Sequence, residues 1–332
     1  MLPGVVCTET EGETVLLSMA PMEGLTVRTF RRVHAECFGR LDRYYTPFLA
    51  PVHVGQAFTK KALRELEPQD DSDLDLVPQL LTNKADEFVW SVQLLAGMGY
   101  TEVNLNLGCP SRTVVGKGRG SGFLRHLDEL EAFLDTGCDQ SPLPVSVKTR
   151  VGMEIDEEYG RILELYCQYP LTELIVHPRV QKDFYKGTPR QELYGMTLKK
   201  ASFPVAYNGD VFGADDLEVL RTSYPATRHV MLGRGIMTNP ALARMIRGGA
   251  PLTAGELRAF HDRLFEAYES EVGGNAVARM KEWWGYAQYA FADSLAVHRV
   301  MRKARHVGDY RSAADKVFAT QQLAADPRFR GA

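Results

Sequence analysis

The sequence predicts a parallel (β/α)8 barrel followed by an α-helical domain, and three observations carry that reading. Eight short apolar runs, mostly β-branched, recur over residues 15–232. Stretches with apolar residues at three- and four-residue steps lie between most of them, the period of a helix packed on a sheet. After Gly248-Gly249 the strand-like runs cease and only helical periodicity remains. Strand–helix alternation sustained eight times is the pattern of a parallel barrel of the TIM type. A doubly wound open sheet is the alternative, but the count reaches eight and no G-x-G-x-x-G follows the first run.

In order, the runs are Val15–Met19, Tyr44–Leu49, Leu76–Leu81, Val103–Leu107, Val145–Thr149, Leu174–His177, Val205–Asn208 and His229–Leu232. Phe88, Val92, Leu95 and Ala96 mark one intervening helix, closed by Gly97 and Gly99; Ile162, Leu165, Tyr166 and Tyr169 mark another, stopped by Pro170. The charged stretch Lys60–Asp75, with its Gln-Asp-Asp-Ser-Asp run, reads as a solvated loop. Thr253-Ala-Gly-Glu256 is a capping box, in which hydroxyl and carboxylate satisfy free N–H groups at a helix start. Helices are expected over 254–272, 276–291, 294–305 and 310–325, giving a barrel domain of residues 1–250 and a helical domain of 251–332.

Composition narrows the function classes. With 45% hydrophobic and 24% charged residues the chain is neither disordered nor collagen-like. A net charge of −3 excludes a uniformly basic nucleic-acid binder, but the charge is uneven. Residues 1–275 hold 29 lysines and arginines against 37 acids, whereas residues 276–332 hold 10 against 5. Cys7, Cys37, Cys109, Cys138 and Cys167 are odd in number with no C-x-x-C pair, so neither a disulfide framework nor a metal site is expected. Met1–Thr14 lacks the basic start and apolar run of a secretory signal. No stretch approaches the roughly 18 apolar residues that a membrane span needs. The expectation is a cytoplasmic monomer.

Active sites of such barrels lie at the C-terminal ends of the strands. That rule gathers Ala20-Pro21-Met22-Glu23-Gly24, Gln79, Asn104 to Pro110, Lys148 and Arg150, His177 and Arg179, Asn208-Gly209-Asp210, and Gly233-Arg234-Gly235. The last two groups occupy the place where barrels bind phosphate: glycines let backbone N–H groups approach the oxygens and Arg234 adds charge. Lys148 stands in a strand that otherwise reads as core; it either serves chemistry or packs its stem with the head in water. His177 carries the same ambiguity alone, and gains weight beside Lys148, Asn106 and Gln79. Cys109, in a Gly-Cys-Pro turn, is either a small buried apolar group or a thiol placed on a rigid loop, and the absence of a partnering His-Asn pattern favours a proton donor over a nucleophile.

Together these motifs resemble the tRNA-dihydrouridine synthase family, flavoenzymes that reduce a uridine in tRNA. The matching stretches are Ala20-Pro-Met-Glu-Gly24, Asn104-Leu-Asn-Leu-Gly-Cys-Pro-Ser111, Val147-Lys-Thr-Arg-Val-Gly152, His177-Pro-Arg179, Asn208-Gly-Asp210 and Gly233-Arg-Gly235, in the family's order. Ala278-Arg-Met-Lys-Glu-Trp-Trp-Gly-Tyr286 is similar to its C-terminal helical domain, nearest the bacterial C-type subgroup acting in the D-loop. Val180 and Asp183 stand where the family usually has Thr and Gln. The resemblance implies FMN in the barrel mouth. Pro21, Met22, Gln79, Lys148 and His177 would contact the ring system, and Asn208, Gly209, Asp210, Gly233 and Arg234 would hold the phosphate. It further implies that NADPH reduces FMN, that flavin N5 passes a hydride to uracil C6, that Asn106 orients the uracil, and that Cys109 protonates C5.

The basic excess fits a tRNA partner, with Arg279, Lys281, Arg299, Arg302, Lys303 and Arg305 as candidate contacts; the alternative is a solvated helix surface. Trp283, Trp284 and Tyr286 read as core. The rival function is a dihydroorotate dehydrogenase-like FMN barrel acting on a free pyrimidine, which leaves the basic helices without a role.

Overall fold

The computed structural model describes residues 14–55, 58–66 and 74–331. Cys7, nearly all of the Met1–Thr14 stretch and the Gln69–Asp73 run lie outside those residues.

Nine parallel strands form one sheet: β1 (Leu16–Met19), β2 (Arg43–Tyr45), β3 (Leu76–Val77), β4 (Gln79–Leu80), β5 (Val103–Leu107), β6 (Val145–Arg150), β7 (Leu174–His177), β8 (Val205–Tyr207) and β9 (His229–Leu232). The third predicted run is split at Pro78, which has no N–H to give the ladder. β3 pairs with β2 and β4 with β5, so the two halves together complete the barrel. Leu49, beyond the end of β2, bridges Leu80 in parallel and seals the join. The predicted (β/α)8 barrel is therefore present, its third strand interrupted.

The strands read as apolar runs because both faces are covered. Leu17, Val103, Leu105, Val147, Leu174, Val176 and Val230 pack against the outer helices in the main core. Inside, a layer of Tyr45, Val77, Ile175, Ala206 and Met231 fills the barrel. Beneath it, His229 bridges Glu173 Oε1 and Ser18 Oγ, each at 2.6 Å, a buried polar layer whose members satisfy one another. The cleft opens above, at the strands' C-terminal ends.

Of the predicted Lys60–Asp75 loop, Lys60–Leu66 is a helix that buries Leu66. The capping box forms as read: Thr253 Oγ1 accepts from Glu256 N at 3.2 Å and Glu256 Oε2 accepts from Thr253 N at 2.9 Å. It opens the helix Ala254–Val272, followed by helices Ala276–Ala287, Ser294–Met301 and Val307–Thr320. The third is shorter than predicted because Lys281 Nζ donates to the carbonyls of Arg302 (2.9 Å) and Ala304 (3.1 Å), terminating it with a cation at its C-terminal end. Among the described residues no helix is long and apolar enough to cross a membrane.

Candidate active site

Strand alternation aims the site residues. Ser146, Lys148 and Arg150 share one face of β6, and register sets Asn106 of β5 beside Lys148 and His177 of β7 beside Arg150. Lys148, Arg150, Asn106 and His177 meet in a cleft of about 260 Å3 at the barrel mouth, lined also by Pro21, Met22, Phe48, Cys109, Tyr185, Asn208, Gly209, Gly233, Arg234 and Tyr286. Ten of the twelve residues to which the resemblance gives a cofactor or catalytic role thus converge on one cavity.

The Cys109 turn is built rigidly. Asn106 Oδ1 accepts from the backbone N–H groups of Gly108 (3.1 Å) and Cys109 (2.9 Å). Arg150, fully buried, donates Nε to Gly108 O at 3.0 Å and its other nitrogens to the carbonyls of Val180 and Phe184, tying this turn to the loop after β7. Gly120, at φ +57°, has no alternative residue: a Cβ there would stand 2.9 Å from Cys109 O. Burial raises the thiol pKa, opposed by Arg150 and Lys148, so the half-buried sulfur keeps its proton at neutral pH.

Lys148 has neither a hydrogen-bond acceptor nor a carboxylate among the described residues. Burial first and Arg150 second lower its pKa to about 7. His177 is driven well below the ordinary imidazole value, again chiefly by burial and then by the surrounding cations. It is therefore neutral, its Nε2 accepting from Arg179 Nη1 at 3.1 Å.

At the other end of the cleft Arg179 and Arg234 share one carboxylate. Arg179 donates to both Asp210 oxygens, at 2.9 and 2.6 Å, and Arg234 donates to Oδ1. Two guanidiniums on one carboxylate leave an excess positive charge where the sequence places a phosphate. The Arg234 guanidinium also lies over the rings of Tyr185, Phe212 and Phe329 at 4.9, 5.6 and 5.0 Å.

Two candidates sit elsewhere than expected. Gln79 is completely buried below the cleft: its Oε1 accepts from Asn106 Nδ2 at 2.7 Å and its Nε2 donates to Asn104 Oδ1 at 2.8 Å, so it supports Asn106 and does not line the cavity. Asp210 anchors the two arginines and likewise does not line it. Asp183 has a structural place, accepting from Val180 N at 3.1 Å and pairing with Arg190 at 2.5 Å.

Among the basic candidates, Arg299, Arg302, Lys303 and Arg305 are exposed, with no ion pair among the described residues. Lys281 caps a helix instead, and Arg279 donates to Gly24 O at 3.0 Å, joining the helical part to the loop after β1. Trp283 and Trp284 are core, as expected, but Tyr286 is only partly buried and lines the cleft. Sequence reading also passed over Phe48, Thr26, whose hydroxyl braces the β1 loop through Met22 N (2.7 Å), and Phe329. None bears a motif signal.

The residues suit a phosphorylated, electron-rich ring: an unpartnered ammonium in the cleft wall, a cationic surplus at one end and apolar Pro21 and Met22 between them.

A family model described as dihydrouridine synthase matches residues 18–289. The chain is 25% identical over 297 residues to a Haemophilus ducreyi protein named tRNA-dihydrouridine(16) synthase, covering 86% of this chain and 90% of that one. It is 29% identical over 259 residues to a Staphylococcus epidermidis protein named probable tRNA-dihydrouridine synthase, covering 76% and 78%. Among solved structures, histamine dehydrogenase from Rhizobium sp. 4-9 shares the barrel fold, with a TM-score of 0.52 and 10% identity over 74% of this chain and 46% of that chain.

Proposed function

The chain belongs to the dihydrouridine synthase family, and on that premise we propose that it is a flavin-dependent enzyme reducing a tRNA uridine to 5,6-dihydrouridine. FMN is the cofactor, NADPH the reductant and a D-loop uridine the target. The observation that carries this reading is the meeting of an unpartnered Lys148 and a protonated Cys109 in one cationic cleft.

When bound, FMN supplies the hydride for uracil C6. With FMN bound, Lys148 would supply a positive charge to the flavin's polar side, where a reduced flavin would need one. Arg234, with Asn208, Gly209 and Gly233, holds the phosphate, and Asp210 fixes Arg234. His177, neutral and lining the cleft, would lie beside a bound flavin without adding charge. Asn106 anchors the Cys109 turn through its oxygen and is held by Gln79 through one N–H of its amide, leaving the second N–H for the pyrimidine. Cys109 holds the proton for uracil C5, and its burial keeps that proton in place until the acceptor arrives.

The helical part, from residue 251 onward, is the tRNA-binding unit. Extracting a stacked base costs about a few kcal/mol, and phosphate contacts from a basic surface offset it. Arg299, Arg302, Lys303 and Arg305 are free for such contacts.

The test is incubation of the purified protein with FMN, NADPH and tRNA lacking dihydrouridine, followed by mass spectrometry of the digested nucleosides. A two-hydrogen gain on uridine is expected. Reduction of a free pyrimidine with tRNA untouched would make the enzyme a small-molecule reductase instead.

A further inference from the structure

We infer that the C-terminal tail segment Asp326–Phe329 is a clasp on the phosphate end of the cleft, with Phe329 the positioning residue for Arg234; this rests on the proposal that the cleft binds FMN. The tail lies beyond residues 18–289, the stretch that the family model matches.

Two sets of contacts fix it. Arg328 pairs with Asp216 at 2.8 Å and with Asp215 and Asp326. The other oxygen of Asp216 accepts from the N–H groups of Phe212 (2.7 Å) and Gly213 (2.9 Å), so Arg328 is tied to the loop after β8. Gly213 leaves the room for this: a Cβ there would stand 2.7 Å from Arg328 Nη2. Next along the chain, the Phe329 ring lies 5.0 Å from the Arg234 guanidinium, 5.3 Å from Tyr286 in a stacked arrangement, and 5.1 Å edge-on from Tyr289. Tyr286 and Tyr185, which flank Arg234 with it, both line the cleft.

Among the described residues Arg234 has one carboxylate partner, and that carboxylate is shared with Arg179. The aromatic faces therefore determine where the guanidinium points. Phe329 supplies one of those faces and keeps water off it, so the charge is preorganised toward the cleft. Without the ring, Arg234 swings on Asp210 and loses its aim at the phosphate.

The experiment measures binding of FMN and of riboflavin, which lacks the phosphate, by flavin fluorescence quenching on the full chain. Phe329→Ala and Arg328→Ala are expected to weaken FMN by about tenfold while leaving riboflavin unchanged. Phe329→Tyr should restore FMN affinity, and Arg330→Ala, at an exposed position, should match the parental chain. Parental FMN affinity in Phe329→Ala, or equal weakening of both flavins, overturns the clasp while the functional reading stands. A parental chain that binds neither flavin overturns that reading and the clasp with it.

Discussion

At Lys148, burial and the Arg150 guanidinium lower the ammonium pKa from 10.5 to about 7, and the Cys109 thiol pulls only weakly the other way. Between those values the unfolded chain binds the proton and the folded chain releases it, so the stability of the cofactor-free protein rises with pH across that interval. Lys148→Met removes the linkage. Thermal melts from pH 7 to 9 are expected to climb more steeply for the parental chain, with the Met variant the more stable at pH 7. Parallel curves would mean that Lys148 keeps its charge in the fold. Cys109 has the opposite protonation task, and burial holds its proton on. Cys109→Ala leaves the Asn106 and Arg150 contacts to the turn's backbone intact. Flavin binding and NADPH oxidation are therefore expected to persist while dihydrouridine formation falls by about 100-fold or more, the contribution of a positioned acid. Nucleoside analysis after single turnover checks it; parental rates would remove the thiol from the reaction.

The element that presents the basic surface is the helix Ser294–Met301 and the turn after it. Arg302 and Lys303 are exposed in that turn and their charges are uncompensated by carboxylates among the described residues. Replacing both with Ala is expected to weaken tRNA binding and to reduce the slope of log affinity against log salt by about two, one per lost phosphate contact. An unchanged slope in a filter-binding series would leave them as ordinary solvated side chains. The length of this helix illustrates what a sequence shows. Its apolar period runs on to Ala304, whereas the helix ends at Met301, where Lys281, from a neighbouring helix, takes the carbonyls of Arg302 and Ala304. Barrel strands were legible because they are buried on both faces, and the site because strand alternation and strand-end position follow from residue order. Gln79 and Asp210 were placed at the right end of the barrel but not in the cleft, since their partners Asn104 and Arg179 are chosen in three dimensions. Tyr286 read as core because its helical period points inward, toward what proves to be the cleft. Phe329 was invisible: one aromatic in a polar tail carries no period.

The molecule as a whole joins barrel and C-terminal helices through a continuous core, although the sequence changes character near residue 250. Phe260, on the helix Ala254–Val272, is fully buried and packs edge-on against Phe30 (5.7 Å) and Phe38 (5.4 Å) of the helix Arg28–Phe38, and against Trp283 (5.7 Å). Around this patch Arg263 pairs with Glu36 at 2.6 Å and Arg279 reaches Gly24 O. The second contact brings the helices to the loop that carries Pro21 and Met22, so the docking that buries Phe260 also sets one wall of the cleft. Truncating such a ring forfeits its transfer free energy and leaves a cavity that neighbours from both parts of the chain must collapse to fill, at a cost of about 3–5 kcal/mol. Phe260→Ala is therefore expected to lower the melting temperature of the barrel and of the helices together, in one transition. Calorimetry decides it. Two resolved transitions, with only the later-sequence helices destabilised, would mean that the boundary near residue 250 separates independently folding parts, and that the cleft wall does not depend on the helical part.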